Sequence, residues 1–300
     1  MLSPNEIRQQ ITAQIIEALT SGELLPWRRP WTNDPNVPGL HTSLSTCNPY
    51  RGINQILLQL AASRRQFQSK WWGTFNQIQN CDARVLKGEK GTHVVLFKPV
   101  KRTRIDENGD ETDDSFCVLR TFVVFNAEQT SRLEQYRIGN GPFDTHEMES
   151  LFDEAERVIA ATKADIRYGG NEAFYSNGGD FIQCPLRQQF ESAEAFYETT
   201  FHELCHWTEK RVGFDRNEAE NTYALGELVA EIGACFAMGE LGLATTDNLT
   251  NHAAYLKSWL KGMSSDPKFI FRACAMASKA VEFVLSFSRT SVESPESALA

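Results

Sequence analysis

The sequence predicts an α+β protein in two parts: an N-terminal α+β half with an antiparallel sheet, and a C-terminal half that is mainly helical. Three observations predict it. Apolar residues recur at helical spacing at the start of the chain and through most of its second half. Two runs rich in β-branched and aromatic residues, "HVVLFKPV" and "FCVLRTFVVF", flank an Asn108-Gly109 hairpin signal. A stretch with two glycines and a proline, "IGNGPFD", separates the two regimes. The expected division is 1–128, a linker over 129–145, a helical part over 146–290 and a loose tail over 291–300.

The first helix is expected over about 4–20. Ser3 can cap it, Pro4 suits its first position and Glu6 completes a capping box. Ile7, Ile11, Ile15 and Ile16 supply its apolar face. After a Pro/Trp-rich loop, a second helix begins at Ile53, and the two strands follow it. In the second half, "HEMESLFDEAERVIAATKA" reads as a helix and "EAFYSNGGDFIQCP" as a hairpin. A further helix, "SAEAFYETTFHELCHWTEKR", is capped by Ser192 and stops before Gly213. Helical stretches near 218–241, 249–263 and 266–286 complete the chain.

Composition narrows the class. At 300 residues, 41% apolar and 23% charged, this is an ordinary globular chain. No apolar run reaches the roughly 18 residues a membrane span needs, and no signal-peptide pattern opens the sequence. Seven scattered cysteines without a CxxC pair read as reduced thiols, so a cytoplasmic protein with no membrane partner is expected. The net charge is −9, yet residues 51–104 carry 11 Lys and Arg against 2 Asp and Glu, a net +9. That asymmetry predicts a basic working surface on an acidic body.

The chemistry-bearing motif is His202-Glu203-Leu204-Cys205-His206. On a helix, residues four apart share a face, so His202 and His206 can aim two imidazoles at one ion. Glu203 stands beside the first histidine, off the ligand axis, where a base for a water must be. With 6 His in 300 residues, about one such chain in a hundred would show this pattern by chance. A second signal strengthens it. Glu227 and Glu231 are again four apart, on an otherwise apolar helix, and buried carboxylates need a cationic partner. Glu227 is assigned as third ligand and Glu231 as acceptor of a hydrogen bond from a ligand histidine; the reverse assignment stays open. The expected cofactor is Zn²⁺ or another divalent ion. His252 and Tyr255, three apart on one helical face, are both candidates to stabilise an oxyanion. Cys205 is assigned to core packing.

The +9 segment is interleaved with Tyr50, Phe67, Trp71, Trp72, Phe75 and Phe97. Cations for phosphates and aromatic faces for bases are what single-stranded nucleic acid requires. Arg51, Lys87, Lys90 and Lys98 are the candidate phosphate contacts, and Trp71 and Trp72 the candidate stacking residues. Gly88 and Gly91 in "LKGEKGTH" allow close backbone approach, but the loop is not a P-loop, which leaves nucleotide hydrolysis unsupported.

"NPYRGIN", "VLKGEKGTHVVLFKPV", "FVVFNAEQ", "AFYSNGGDFIQCP", "FYETTFHELCHWT", "GELVAEIGACF" and "NHAAYLKSWL" occur in one order along the chain. Together they resemble ArdC-type antirestriction proteins across nearly the whole length. The resemblance implies an N-terminal domain that binds single-stranded DNA without sequence preference. It also implies a zincin-like metallopeptidase domain, and protection of incoming plasmid DNA from host restriction during conjugation. Carried over, the metal motif falls on His202, Glu203, His206 and Glu227, and the 227–231 run resembles the third-ligand element of gluzincin-type metallopeptidases. The expected partners are single-stranded DNA and a host protein as peptidase substrate. Two rival readings are a DNA-coating protein with a structural or vestigial metal site, and a plain metallopeptidase with a basic recognition domain.

Overall fold

The computed structural model describes residues 3–21, 25, 27, 28, 39–105, 111–133, 136, 145–214, 222–246 and 250–289; side chains are described for these except 98–105, 111–117, 145–150 and 250–254. The Asn108-Gly109 turn, most of the expected linker and the tail lie outside them. The α+β class holds, with sheets in the N-terminal region and a helical C-terminal part.

Helix α1, Pro4–Thr20, starts as the capping box dictates. The Ser3 hydroxyl accepts from the Glu6 amide at 3.3 Å, and the Glu6 carboxylate accepts from the Ser3 amide at 2.7 Å. Its buried face, Ile7, Ile11, Ile15 and Leu19, belongs to the same core as the C-terminal helices. The Thr12 hydroxyl donates to the Pro267 carbonyl at 3.1 Å, so the first helix docks on the far end of the chain.

The N-terminal sheet has four strands: β1 (Thr42–Ser43), β2 (Trp71–Thr74), β4 (Thr92–Ile105) and β5 (Glu111–Asn126). Their order is β1-β2-β5-β4, with β1 parallel to β2 and the rest antiparallel. The β4–β5 register runs from Thr92 opposite Val124 to Ile105 opposite Glu111. Helix α2, Ile53–Arg65, covers one face, packing Leu58 and Ala62 on Trp72, Val94 and Val124. Its Asn54 amide also seals the open edge of β4, donating to the Val95 carbonyl and accepting from the Val95 amide, both at 2.8 Å. An unpaired ladder position is thereby closed to another chain.

Short elements complete this half: α3 (Phe75–Asn80), β3 (Arg84–Val85) and β6 (Thr130–Ser131), which pairs with β3. They enclose a small core of Leu44, Ile78, Ala83, Ala127 and Leu133. None was expected from the sequence, although α3 carries a legible Thr74–Gln77 capping box.

The C-terminal half opens with α4, Thr145–Ala161. A three-stranded sheet follows, in the order β7 (Asp165–Tyr168), β9 (Phe181–Cys184), β8 (Phe174–Ser176); β8–β9 is the expected hairpin and β7 joins β9 in parallel. Helices α5 (Ala193–Val212), α6 (Tyr223–Glu240), α7 (Thr250–Ser265) and α8 (Phe269–Arg289) make the helical body. Ser192 caps α5 through the Ala195 amide at 3.1 Å, and Gly213 ends it at φ +78°. Every residue of α6 from Leu225 to Met238 is buried.

The contact of α5 with α6 depends on one missing side chain. A Cβ on Gly233 would lie 2.5 Å from the Cys205 sulfur, well inside contact distance. Cys205 packs there with Ala230 and Ala280. Gly233→Val is therefore expected to lower the unfolding free energy by about 1–3 kcal/mol, with a smaller loss in a Cys205→Ala background. Urea unfolding of the single and double variants measures both; purely additive losses would exclude the contact.

Candidate metal centre

Helix α5 places His202 and His206 one turn apart, with ring centroids 4.9 Å from each other. Helix α6 brings Glu227 between them. One carboxylate oxygen lies 3.6 Å from His202 Nε2, and the other lies 3.5 Å from His206 Nε2. A tetrahedral zinc with bonds near 2.0–2.1 Å spaces its donor atoms about 3.4 Å apart. The three side chains thus fit a small divalent cation as they stand.

The orientation of the second histidine is set from its own helix. His206 Nδ1 faces the Glu209 carboxylate at 2.7 Å, which leaves Nε2 turned to Glu227. Burial pushes the His206 imidazole down, but the Glu209 and Glu227 hydrogen bonds outweigh it and raise it to about 9. Burial likewise opposes the Glu227 charge, and the His202 and His206 hydrogen bonds reverse this, holding that carboxyl far below its usual range. The His206 imidazole and the Glu227 carboxylate thus favour each other's charged forms.

Glu203 is buried, and its Oε2 has no hydrogen-bond partner among the described residues. A buried carboxylate oxygen without a partner is costly and uncommon in a folded chain. Glu203 lies in the same helical turn as the two histidines, and its charge helps to raise His206. Tyr223 opens α6 and is 62% exposed; its hydroxyl lies 3.1 Å from that of Tyr255 on α7. The Tyr255 hydrogen bond, burial and the nearby Glu227 all raise the Tyr223 phenol. Tyr255 thus reaches the edge of the site through Tyr223. His252 lies on α7, one turn earlier, and its side chain is outside the described residues.

Glu231 departs from its expected role. Its Oε1 accepts from Trp27 Nε1 at 3.3 Å, Arg28 Nε at 3.2 Å and Arg28 Nη2 at 3.1 Å. The acceptor facing the ligand histidine His206 is Glu209 instead. Glu209 was legible as the third position of a His202-x3-His206-x2-Glu209 face. Arg28 carried no local signal.

In the N-terminal half, Trp72 is fully buried, with Nε1 donating to His41 Nδ1 at 3.0 Å, so it cannot stack on a base. The α2–sheet core claimed it. Trp71 is half-buried, edge-on to Tyr136, with the Lys70 ammonium 5.6 Å from its ring. Lys87 and Lys90 are exposed on the loop between β3 and β4. Arg51 lies 3.2 Å from Glu282 and 3.6 Å from Glu240, so acidic side chains already hold its guanidinium. Lys98 is on β4, its side chain outside the described residues. Phe75, at 49%, is a more exposed ring than either tryptophan. No described helix is long and apolar enough to cross a membrane.

Comparison with known proteins agrees with this architecture. Residues 5–125 match the N-terminal domain of anti-restriction factor ArdC, and residues 153–276 match a zincin-like metallopeptidase family. The fold and site thus define a zincin-like domain, of a class whose fold implies a metal, joined to an ArdC-type N-terminal domain. The antirestriction ArdC protein of plasmid R388 superposes in its metal-free crystal structure with a TM-score of 0.77 at 34% identity, over 95% of this chain and 98% of that one. Its Mn(II)-bound structure gives 0.74 at 33%, over 94% and 98%. The protein y4eC of Sinorhizobium fredii (strain NBRC 101917 / NGR234) is 30% identical over 94% of this chain and 92% of its own length. A DNA primase TraC of Escherichia coli is 36% identical over 95% of this chain, which spans only 27% of that longer protein. The chain belongs to the ArdC family of antirestriction proteins.

The raised His206 makes a prediction with a definite sign. A group lifted on folding stabilises fully below its unfolded value, 6.5, and that contribution is lost as pH rises through about 9. The metal-free protein is expected to melt at progressively lower temperature across that window. Zinc affinity should rise over the same window, because the ion displaces the proton. Glu209→Gln should flatten both profiles; thermal melts and chelator competition at stepped pH check this, and an unchanged slope would contradict it.

Proposed function

We propose that this protein acts as an antirestriction factor: its N-terminal half binds single-stranded DNA without sequence preference, and its C-terminal half carries a metallopeptidase-type site. The observation that carries the reading is the convergence of His202, His206 and Glu227 beside a buried Glu203 oxygen that has no hydrogen-bond partner among the described residues. Zn²⁺ suits this donor set. The Mn(II) in the R388 ArdC structure makes manganese the ion to compare with it.

The two histidines and Glu227 would hold the ion, which when bound supplies Lewis-acid activation of a water and of a peptide carbonyl. Glu203 accepts the proton of the attacking water and returns it to the departing amine. Glu209 keeps His206 in the tautomer that presents Nε2. The Tyr223 and Tyr255 hydroxyls, at the mouth of the site, are the donors for the oxyanion. The cleaved substrate is a host protein. On the other half, Lys87, Lys90 and Lys98 meet phosphates, and Trp71 with Phe75 offers faces for bases. Arg51 joins them only by leaving Glu240 and Glu282.

Glu203→Gln tests the peptidase part. It is expected to keep zinc affinity and oligonucleotide binding, yet to lose protection of unmodified plasmid DNA entering a restricting host by about a hundredfold or more. Protection equal to the parent would sink the peptidase reading and leave DNA coating. In parallel, Lys87→Ala/Lys90→Ala is expected to weaken binding of a fluorescent single strand. The slope of log affinity against log salt should become shallower by about 0.7 per lost contact.

A further inference from the structure

Beside the candidate metal centre stands a second set of metal-type donors. Glu198, Glu231 and Cys235 are all buried and bring their ligand atoms within 4.8 Å of one another. Burial, and then Glu231, push the Cys235 thiol far up, which disfavours a thiolate ligand there. The cation in this set belongs to the chain itself. Arg28 Nη2 lies 2.6 Å from Glu198 Oε1 and 3.1 Å from Glu231 Oε1, and Nη1 donates to the Thr246 carbonyl. The other Glu198 oxygen accepts from the Thr246 amide at 2.7 Å. Arg28 is 1% exposed.

The position of this clamp is informative. Glu198 is one turn before His202 on α5, and Glu231 one turn after Glu227 on α6. Both steps are one turn along the same two helices, so Arg28 bridges α5 and α6 one turn away from the ligands. Trp27 extends the link: its indole donates to Glu231, and its ring meets Trp259 edge-on at 5.7 Å. Trp259 stacks on Tyr255 at 6.0 Å, and Tyr255 reaches Tyr223.

We infer that Arg28 is a positioning residue for the metal triad: by bridging Glu198 and Glu231, the guanidinium sets the spacing of α5 and α6 that brings Glu227 to the two histidines. The inference rests on the reading of His202, His206 and Glu227 as ion ligands. It gives the segment between α1 and α2, outside the helical half, control over metal affinity. Lysine could supply the charge but not the planar fork that serves two carboxylates at once.

The test uses the full chain as parent, as Arg28→Lys, and as the combined Arg28→Met/Glu198→Gln/Glu231→Gln variant. The combined variant removes all three charges together, so no buried charge is left unpaired and the fold is expected to persist. Zinc is titrated against a chromophoric chelator, and the visible spectrum of each cobalt(II)-substituted protein is recorded. Zinc affinity is expected to fall about tenfold or more in both variants, with a changed cobalt band. A folded variant with parental zinc affinity and cobalt spectrum would overturn the inference and reduce Arg28 to charge balance. If the combined variant does not fold, Arg28→Lys decides on the same two readouts. A parent that takes up neither ion would instead defeat the ligand assignment, and this inference with it.

Discussion

Two carboxylates on one buried helix govern this structure. Glu227 and Glu231 lie a turn apart on α6, where every neighbouring residue is apolar and out of water. Neither can stay charged there without a cation close by. The fold answers the demand twice, in different ways. Glu227 is met by two imidazoles from α5, an arrangement that a metal ion can enter. Glu231 is met by a guanidinium that the chain brings from more than 200 residues away.

The second answer ties the two halves together. The N-terminal helix and the Trp27–Arg28 pair are packed into the helical body, and Ile7, Ile11, Ile15, Ile53 and Val95 share one apolar core with Phe201, Leu228 and Trp259. At the C-terminal end of α6, Arg51 approaches Glu240 and, on α8, Glu282, and the Gly52 amide donates to the Ser278 hydroxyl at 2.9 Å. The basic half and the helical half are therefore not beads on a linker. Glu231 in the middle of α6 and Glu240 at its end are each met by an arginine from the N-terminal region.

The same packing redistributes roles among residues of one type. Trp71 and Trp72 are adjacent and looked equivalent, but a strand turns alternate side chains to opposite faces. One face lies under α2, so Trp72 is buried with Leu58 and Val94, while Trp71 stays half-buried beside Lys70. The exposed ring Phe75 follows immediately, at the start of α3. A basic segment rich in aromatics was evident from composition; which ring faces solvent was not.

What the sequence by itself determined is local. Helix α1 with its Ser3–Glu6 box, α5 between Ser192 and Gly213, and the β4–β5 pairing follow from periodicity and end chemistry within a few residues. The His202–His206 pair follows from the pitch of a single helix, and Glu209 could have been added by the same rule. The short strands β1, β3, β6 and β7 could not be read, because two to four residues carry no period and form only where a partner strand waits. The partner of Glu231 could not be read either. A carboxylate one turn from a ligand can face a histidine or an arginine with the same local pattern. Only the path of the chain through space, which brings Arg28 back to α6, decided between them.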